Sequence, residues 1–452
     1  MFATLFPLGI GGFDDKTCPT NLSFQQQAQY YFNISDCSFR YHYSYIFVAF
    51  NIWQRRLAHL HTYFTVRNSQ FESVAHKLIN VSSATLLELA NQLENEKCLK
   101  NMTLEQKNAI ELLNKINTIS TKMPGSQAMK MFIRNEIQSY FSHFALPHIY
   151  LTFNPCAAHS PVFQVMFGDT NVDLSERFPK IVGIQECALR LAKDPVAAAD
   201  YFEFCIHALF KYLLGWDFDK RKGDEKGGIL GKLCAFYGTS EFTNRGSLHG
   251  HFLIWLVGGL NPSELHEKLH SSKEFEQKFS NFFESIIHHH LPDVHVEVDS
   301  SYEPRAQRPP NSPKSLDPTY MDIIKEWDSV FVTEVKMCGE VLQRHKCGSV
   351  CHKYGNDKKC CFLFPHEIVE ASYFDQDTNS VILLCQDSTV NYFNPYILIF
   401  CMHNHNIKCI LSGKAAKAAM FYISDYITKM DMKTYQSLTL LSKAVAQCHA
   451  QT

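Results

Sequence analysis

Apolar positions recur at helical spacing over roughly the first 120 residues and then give way to short strand-like runs, which predicts two regions of different character. Residues 1–122 are mainly helical by this pattern, rich in Gln, Asn and Leu, with a heptad-like stretch from Ser83 to Ile119. Met123-Pro124-Gly125 breaks the periodicity, and a further helical run extends from Ser126 to Phe144, so a boundary is placed near Pro124, with a second region at 123–452. There, HIYLTFNP (His148 to Pro155) predicts a short strand closed by an Asn-Pro turn. Ile184 to Leu214 is expected to be helical, with Pro195 opening a second helix after Asp194. Lys220 to Gly231 is expected to be a loop, while Leu233 to Thr239 and Gly250 to Val257 predict two strands joined by a polar turn at Asn244 to Ser247. Five prolines between Pro304 and Pro318 mark an exposed loop; beyond it a strand is expected at Tyr396 to Met402 and a final helix at Gly413 to Met430. Strand, helices, then strands make the fold class α+β.

Composition changes this picture little. A hydrophobic content of 46% with 19% charged residues belongs to a folded chain. A net charge of −2 means that a nucleic-acid partner has to be met by a local basic surface. The N-terminus, MFATLFPLGIGG, lacks a basic segment followed by a continuous apolar one, so no signal peptide is expected and the sixteen cysteines should be reduced. The longest apolar runs fall short of the roughly 20 residues of a membrane helix. A nuclear or cytosolic protein without a membrane partner is the expectation.

Chemistry concentrates in the predicted hairpin, EFTNRGSLHGHFLIWL (Glu241 to Leu256). Alternation along a strand puts His249 and His251 on one face, and Glu241 falls opposite one of them if the intervening loop has odd length. Two imidazoles and a carboxylate form an open site that accepts Mg²⁺, Mn²⁺ or Zn²⁺, with no choice among them from the sequence and Mg²⁺ or Mn²⁺ taken as the expected ion, and that leaves room for a phosphate oxygen. Two polar residues on a half-exposed sheet face would produce the same tripeptide. Arg245 in the turn is a candidate phosphate contact.

A second constellation is FYISDYITK (Phe421 to Lys429). On a helix, Tyr422, Tyr426 and Lys429 share a face. A phenol of pKa about 10 is a poor nucleophile until something polarises its target or takes its proton, and Lys429 can assist by its charge. Buried tyrosines on an amphipathic helix are the plainer alternative. Lys414 and Lys417 just upstream offer positive charge for DNA.

Taken together, RNEIQSYFSHFALPHIYLTFNP (Arg134 to Pro155), DPVAAADYF (Asp194 to Phe202), GTSEFTNRGSLHGHFLIWL (Gly238 to Leu256), CCFLFP (Cys360 to Pro365) and FYISDYITK resemble the Rep nuclease part of Helitron transposases, a branch of the HUH endonucleases. The resemblance implies an antiparallel sheet flanked by helices. It implies that His249 and His251 bind the metal with Glu241 third, and that Tyr422 and Tyr426 attack single-stranded DNA in a rolling-circle reaction, forming 5′-phosphotyrosine links. It departs from the family at Gly250, usually a bulky apolar residue; glycine there would loosen the strand by about 0.5–1 kcal/mol. No G-x-x-x-x-G-K-[ST] phosphate loop occurs, so a helicase is expected to come from another chain. A degenerate or domesticated transposon fragment that binds DNA without cutting it is the alternative.

A Cys/His cluster lies within residues 338–366. His345, Cys347, Cys351 and Cys360, with His352 and Cys361 nearby, favour a structural zinc in a reducing compartment, and the family has cysteines matching three of them. Buried, unligated cysteines are the alternative. A second His-x-His, His403 and His405, is expected to lie on the surface.

Overall fold

In the computed structural model a four-stranded antiparallel sheet, with Leu233–Phe242 (β4), Leu248–Leu256 (β5), Ile149–Asn154 (β1) and Asn404–Cys409 (β8) side by side in that order, occupies the middle of the chain. The structure describes residues 2–15, 19–20, 22–65, 76, 80–94, 102–119, 127–176, 179–242, 247–298, 320–348, 351, 360, 362–375, 380–410, 418–421, 423 and 434–451. The chain divides into two units, one formed by residues 1–138 and 421–452, the other by 139–420.

The first unit begins with α1 (Phe24–Phe32), α2 (Ser38–Tyr41) and α3 (Tyr45–Thr65). Phe2, Tyr31, Phe39 and Tyr45 pack there as an aromatic cluster, with Tyr31 stacked on Phe39. The heptad-like stretch forms two helices, α4 (Ser83–Glu94) and α5 (Leu104–Ile119). Leu86, Leu89 and Ala90 of α4 point into a core shared with Ala109.

The helix predicted before β1 is α6 (Gln127–Phe144). In the second unit follow β1 (Ile149–Asn154), α7 (Pro161–Phe167), α8 (Ile184–Lys193) and α9 (Pro195–Ala208). As expected, the chain breaks at Asp194, whose side chain caps α9 by accepting from the Ala197 N–H at 2.8 Å. A π-helical turn at Leu209–Leu213 leads to the two-residue strands β2 (Trp216–Asp217) and β3 (Lys222–Gly223). The long hairpin is β4 (Leu233–Phe242) and β5 (Leu248–Leu256), longer than predicted at both inner ends, with its turn at 243–246 outside the described residues. Then come α10 (Pro262–Ser271), α11 (Lys273–Ile286), α12 (Tyr320–Leu342), β6 (Tyr373–Asp375) and β7 (Ser380–Ile382). The proline-rich segment 304–318 lies outside the described residues.

Residues Tyr396 to Met402 are not a strand. Pro395–Cys401 is helix α13, and the strand, β8, is Asn404–Cys409. A short apolar run does not distinguish strand from helix by period alone. Here Asn394 decides: its side chain accepts from the N–H groups of Tyr396 and Ile397, and Pro395 fills the first helical turn. Of the predicted helix 413–430 only residues 418–421 and 423 are described, all helical. The last helix, α14 (Thr434–Gln451), returns to the first unit, where Leu438 and Val445 complete the core around α4 and Ser442 Oγ donates to Ser83 O at 2.7 Å.

The central sheet is covered on one face and packed in part on the other. Ile149, Leu151, Phe153, Phe252, Ile254 and Ile407 line the inner one, against Phe210 and the helices that follow β1. On the other face Trp255 packs against Tyr140, Phe141 and Phe144 and donates from Nε1 to Ala145 O at 2.9 Å. Among the described residues no helix is long and apolar enough to cross a membrane.

Candidate metal-bearing sheet face

Register decides which side chains meet. In the β4–β5 pair Glu241 lies opposite His249, and Thr239 opposite His251. In the β1–β5 pair Thr152 lies opposite His251 and Tyr150 opposite Leu253. The β1–β8 pair adds Asn406 opposite Thr152 and Lys408 opposite Tyr150. Directly paired residues share a face, so Glu241, both histidines, Thr239, Thr152, Tyr150, Asn406 and Lys408 all emerge on the same side of the sheet.

His251 is the best-held member of this set. Its Nε2 is 3.3 Å from Glu241 Oε2, and both side chains are buried. Its Nδ1 lies 3.0 Å from the Tyr150 hydroxyl and 3.3 Å from that of Thr152. These hydroxyls fix the ring plane and leave Nε2 for the carboxylate side, the arrangement by which a ligating imidazole is oriented through its second nitrogen. Burial, with the neighbouring His249, pushes the His251 pKa down to about 4, and burial lowers that of His249. Both rings are therefore neutral near pH 7, the state in which imidazole binds a metal.

His249 shares the face, but Glu241, His249 and His251 do not bring their ligand atoms all within 4.8 Å of one another. Among the described residues the one group of three or more His, Cys, Asp or Glu side chains whose ligand atoms all lie within 4.8 Å of one another is His345, Cys347, Cys351 and Cys360. The donor set on the sheet nevertheless suits a divalent ion: two neutral imidazoles and a carboxylate project from adjacent strands.

Gly250 does not leave a gap in the ligand strand. The Phe252 ring lies over it, and a Cβ at Gly250 would come within 2.5 Å of Phe252 Cε2 and 3.3 Å of Ile206 Cδ1. The same ring covers Gly238 on β4, directly opposite Phe252. The bulk missing at position 250 is supplied two residues later, which removes the reason to expect a loosened strand.

The second His-x-His is not on the surface. His403 and His405 are 4% and 0% exposed. His405 sits opposite Phe153 on the inner face, where its Nε2 accepts from the Asn394 N–H at 2.9 Å. The proton is thus on Nδ1, and the Gln343 amide turns its oxygen toward it at 3.2 Å. His403 Nε2 is 2.8 Å from the Tyr201 hydroxyl. NHNIKC carries little of the apolar alternation that identifies a strand, so the burial of these histidines was hidden. The Tyr150/Thr152 pair was missed as well, although polar residues at every second position of HIYLTFNP were its visible sign.

Tyr422, Tyr426, Lys429, Arg245, Lys414 and Lys417 lie outside the described residues. A comparison with curated proteins finds no match. Residues 28–254, just over half of the chain, match the family described as "Helitron helicase-like domain at N-terminus", a span that takes in β1, β4, Glu241 and both sheet histidines. On that match, the protein belongs to the Helitron helicase-like N-terminal domain family, the Rep-type part of these transposon proteins.

Proposed function

We propose that the protein nicks and rejoins single-stranded DNA in rolling-circle transposition, with a divalent ion, Mg²⁺ or Mn²⁺, on the outer sheet face. The observation that carries this reading is His251, held by Tyr150 and Thr152 on one nitrogen and facing Glu241 with the other. His249, His251 and Glu241 would hold the ion, which when bound draws charge from a phosphodiester oxygen. Tyr150 and Thr152 are positioning residues that keep the His251 ring in plane. Lys408, on the same face, adds positive charge beside the strand path. Tyr422 or Tyr426 supplies the phenol oxygen, which forms a bond to phosphorus as the bond to the 3′ oxygen breaks. A 5′-phosphotyrosine link and a free 3′-hydroxyl result, and the energy of the broken bond is kept for rejoining. Lys429 assists by its charge, and Arg245, Lys414 and Lys417 contact the DNA backbone. On this reading the protein works in the nucleus, alongside a helicase supplied in trans.

The test is to incubate the protein with single-stranded oligonucleotides and Mn²⁺ or Mg²⁺ and to resolve the products on a denaturing gel. A covalent protein–DNA adduct is expected, abolished by the double change Tyr422→Phe/Tyr426→Phe and by His251→Ala. Thr152→Val should retain adduct formation at a rate lowered roughly 10-fold, the scale of losing an outer-sphere support. Adducts that survive the double tyrosine change, or their absence with every substrate tried, would refute the proposal.

A further inference from the structure

His345 Nε2 has three sulfur neighbours: Cys347 Sγ at 3.3 Å, Cys351 Sγ at 3.6 Å and Cys360 Sγ at 3.3 Å. All four ligand atoms lie within 4.8 Å of one another. Hydrogen bonding does not account for this. A neutral imidazole nitrogen has one lone pair and accepts from one thiol, so at least two of the contacts need another cause. Disulfide formation is no substitute, since all three cysteines are free.

A shared metal explains the whole set. With Zn–S of about 2.3 Å and Zn–N of about 2.05 Å, tetrahedral angles put sulfur and nitrogen about 3.6 Å apart. One of the three separations equals that value and the other two are 0.3 Å shorter. Three thiolates and one imidazole are a closed ligand set that favours zinc over the harder ions suited to the sheet face. The surroundings match: the Gly348 N–H donates to Cys351 Sγ at 3.5 Å, and the His345 ring lies flat on Phe364 at 4.1 Å.

What the cluster is attached to gives it a role. The residues just before His345 hold β8. Leu342 O accepts from Asn404 Nδ2 at 2.6 Å, and the Gln343 side chain meets His405 Nδ1. Arg344 is clamped by Glu340, Asp387 and Thr389, and the His345 N–H donates to Thr389 O at 2.7 Å. The geometry points to a structural zinc ion bound by His345, Cys347, Cys351 and Cys360, which anchors the end of α12 and thereby fastens the edge strand β8. This site stands apart from the proposed nuclease chemistry and does not depend on it. Its link to that face is indirect, through Asn406 and Lys408 on β8.

The experiment uses the full chain purified without chelator. Elemental analysis is expected to find one zinc per chain, retained in His249→Ala/His251→Ala and lost in Cys351→Ser and in His345→Ala. Should those variants fail to fold, cobalt exchange into the unaltered protein gives the same answer, because three thiolates produce an intense sulfur-to-cobalt absorption band with tetrahedral d–d bands. Hydrogen exchange across Asn404–Cys409 should accelerate at least roughly 10-fold on zinc removal, while Leu86–Ala90 in α4 stays protected. A protein that neither carries zinc nor shows the sulfur–cobalt band would overturn the site, as would zinc retained by both variants. Unchanged exchange in β8 after zinc removal would overturn the fastening role.

Discussion

Phe252 shows how one residue can settle the fate of its neighbours. Its ring lies over Gly250 on its own strand and Gly238 on the partner strand, and a side chain at either position would collide with it. Gly250→Val should therefore destabilise the protein by about 1–3 kcal/mol, the cost of overpacking a filled core, where strand propensity alone would predict a gain. Urea unfolding checks the sign, and in a Phe252→Leu background the penalty should shrink. The ring also disfavours slippage of the hairpin: a shift by one residue would turn His249 and His251 toward the interior. The histidine pair thus depends on a phenylalanine and two glycines that perform no chemistry themselves.

Among the elements, α13 is the one whose identity rests on a single side chain. Asn394 is buried, accepts from the N–H groups of Tyr396 and Ile397, and donates from Nδ2 to Ile286 O at 2.9 Å. Asn394→Ala removes the cap and strands a buried carbonyl, so a loss of about 2 kcal/mol is expected in chemical denaturation. The Asn-Pro signal was in the sequence, but the apolar run after it outweighed it, whereas at Asp194-Pro195 the same kind of signal predicted the helix start correctly. β1 was legible because its apolar and polar residues alternate, and the hairpin because two strand-length runs flank a polar turn. That Glu241 falls opposite one of the two histidines was legible only on condition of an odd loop, and the register supplies both that parity and the choice of His249. What stayed hidden was long-range: the seating of His405 against Asn394 and Gln343, and the pairing of β8 with β1, depend on segments far apart in sequence. The four ligands of the proposed zinc site could be picked out by residue type, but not the convergence of three sulfurs on one nitrogen.

For the whole molecule, buried imidazoles make stability depend on pH. His289 and His405 are 1% and 0% exposed, and burial pushes each pKa down to about 4 from 6.5. Between those values the unfolded chain binds protons that the folded protein refuses, so stability falls as the pH drops from about 6.5 toward 4 and levels off below that from these two groups. At pH 5 the loss should be about 2 kcal/mol per imidazole, measurable as a lower urea midpoint than at pH 7. A midpoint constant over this range would contradict the burial of both rings. Larger still is the effect of chain order. Leu86, Leu89 and Ala90 share their core with Leu438 and Val445, although the whole unit of residues 139–420 intervenes. During translation, at about 5–20 residues per second, the apolar side of α4 waits on the order of half a minute before α14 leaves the ribosome. Throughout that interval the nascent chain has a sticky flank that invites chaperones, so a ribosome stalled within the intervening unit would release a product prone to aggregate.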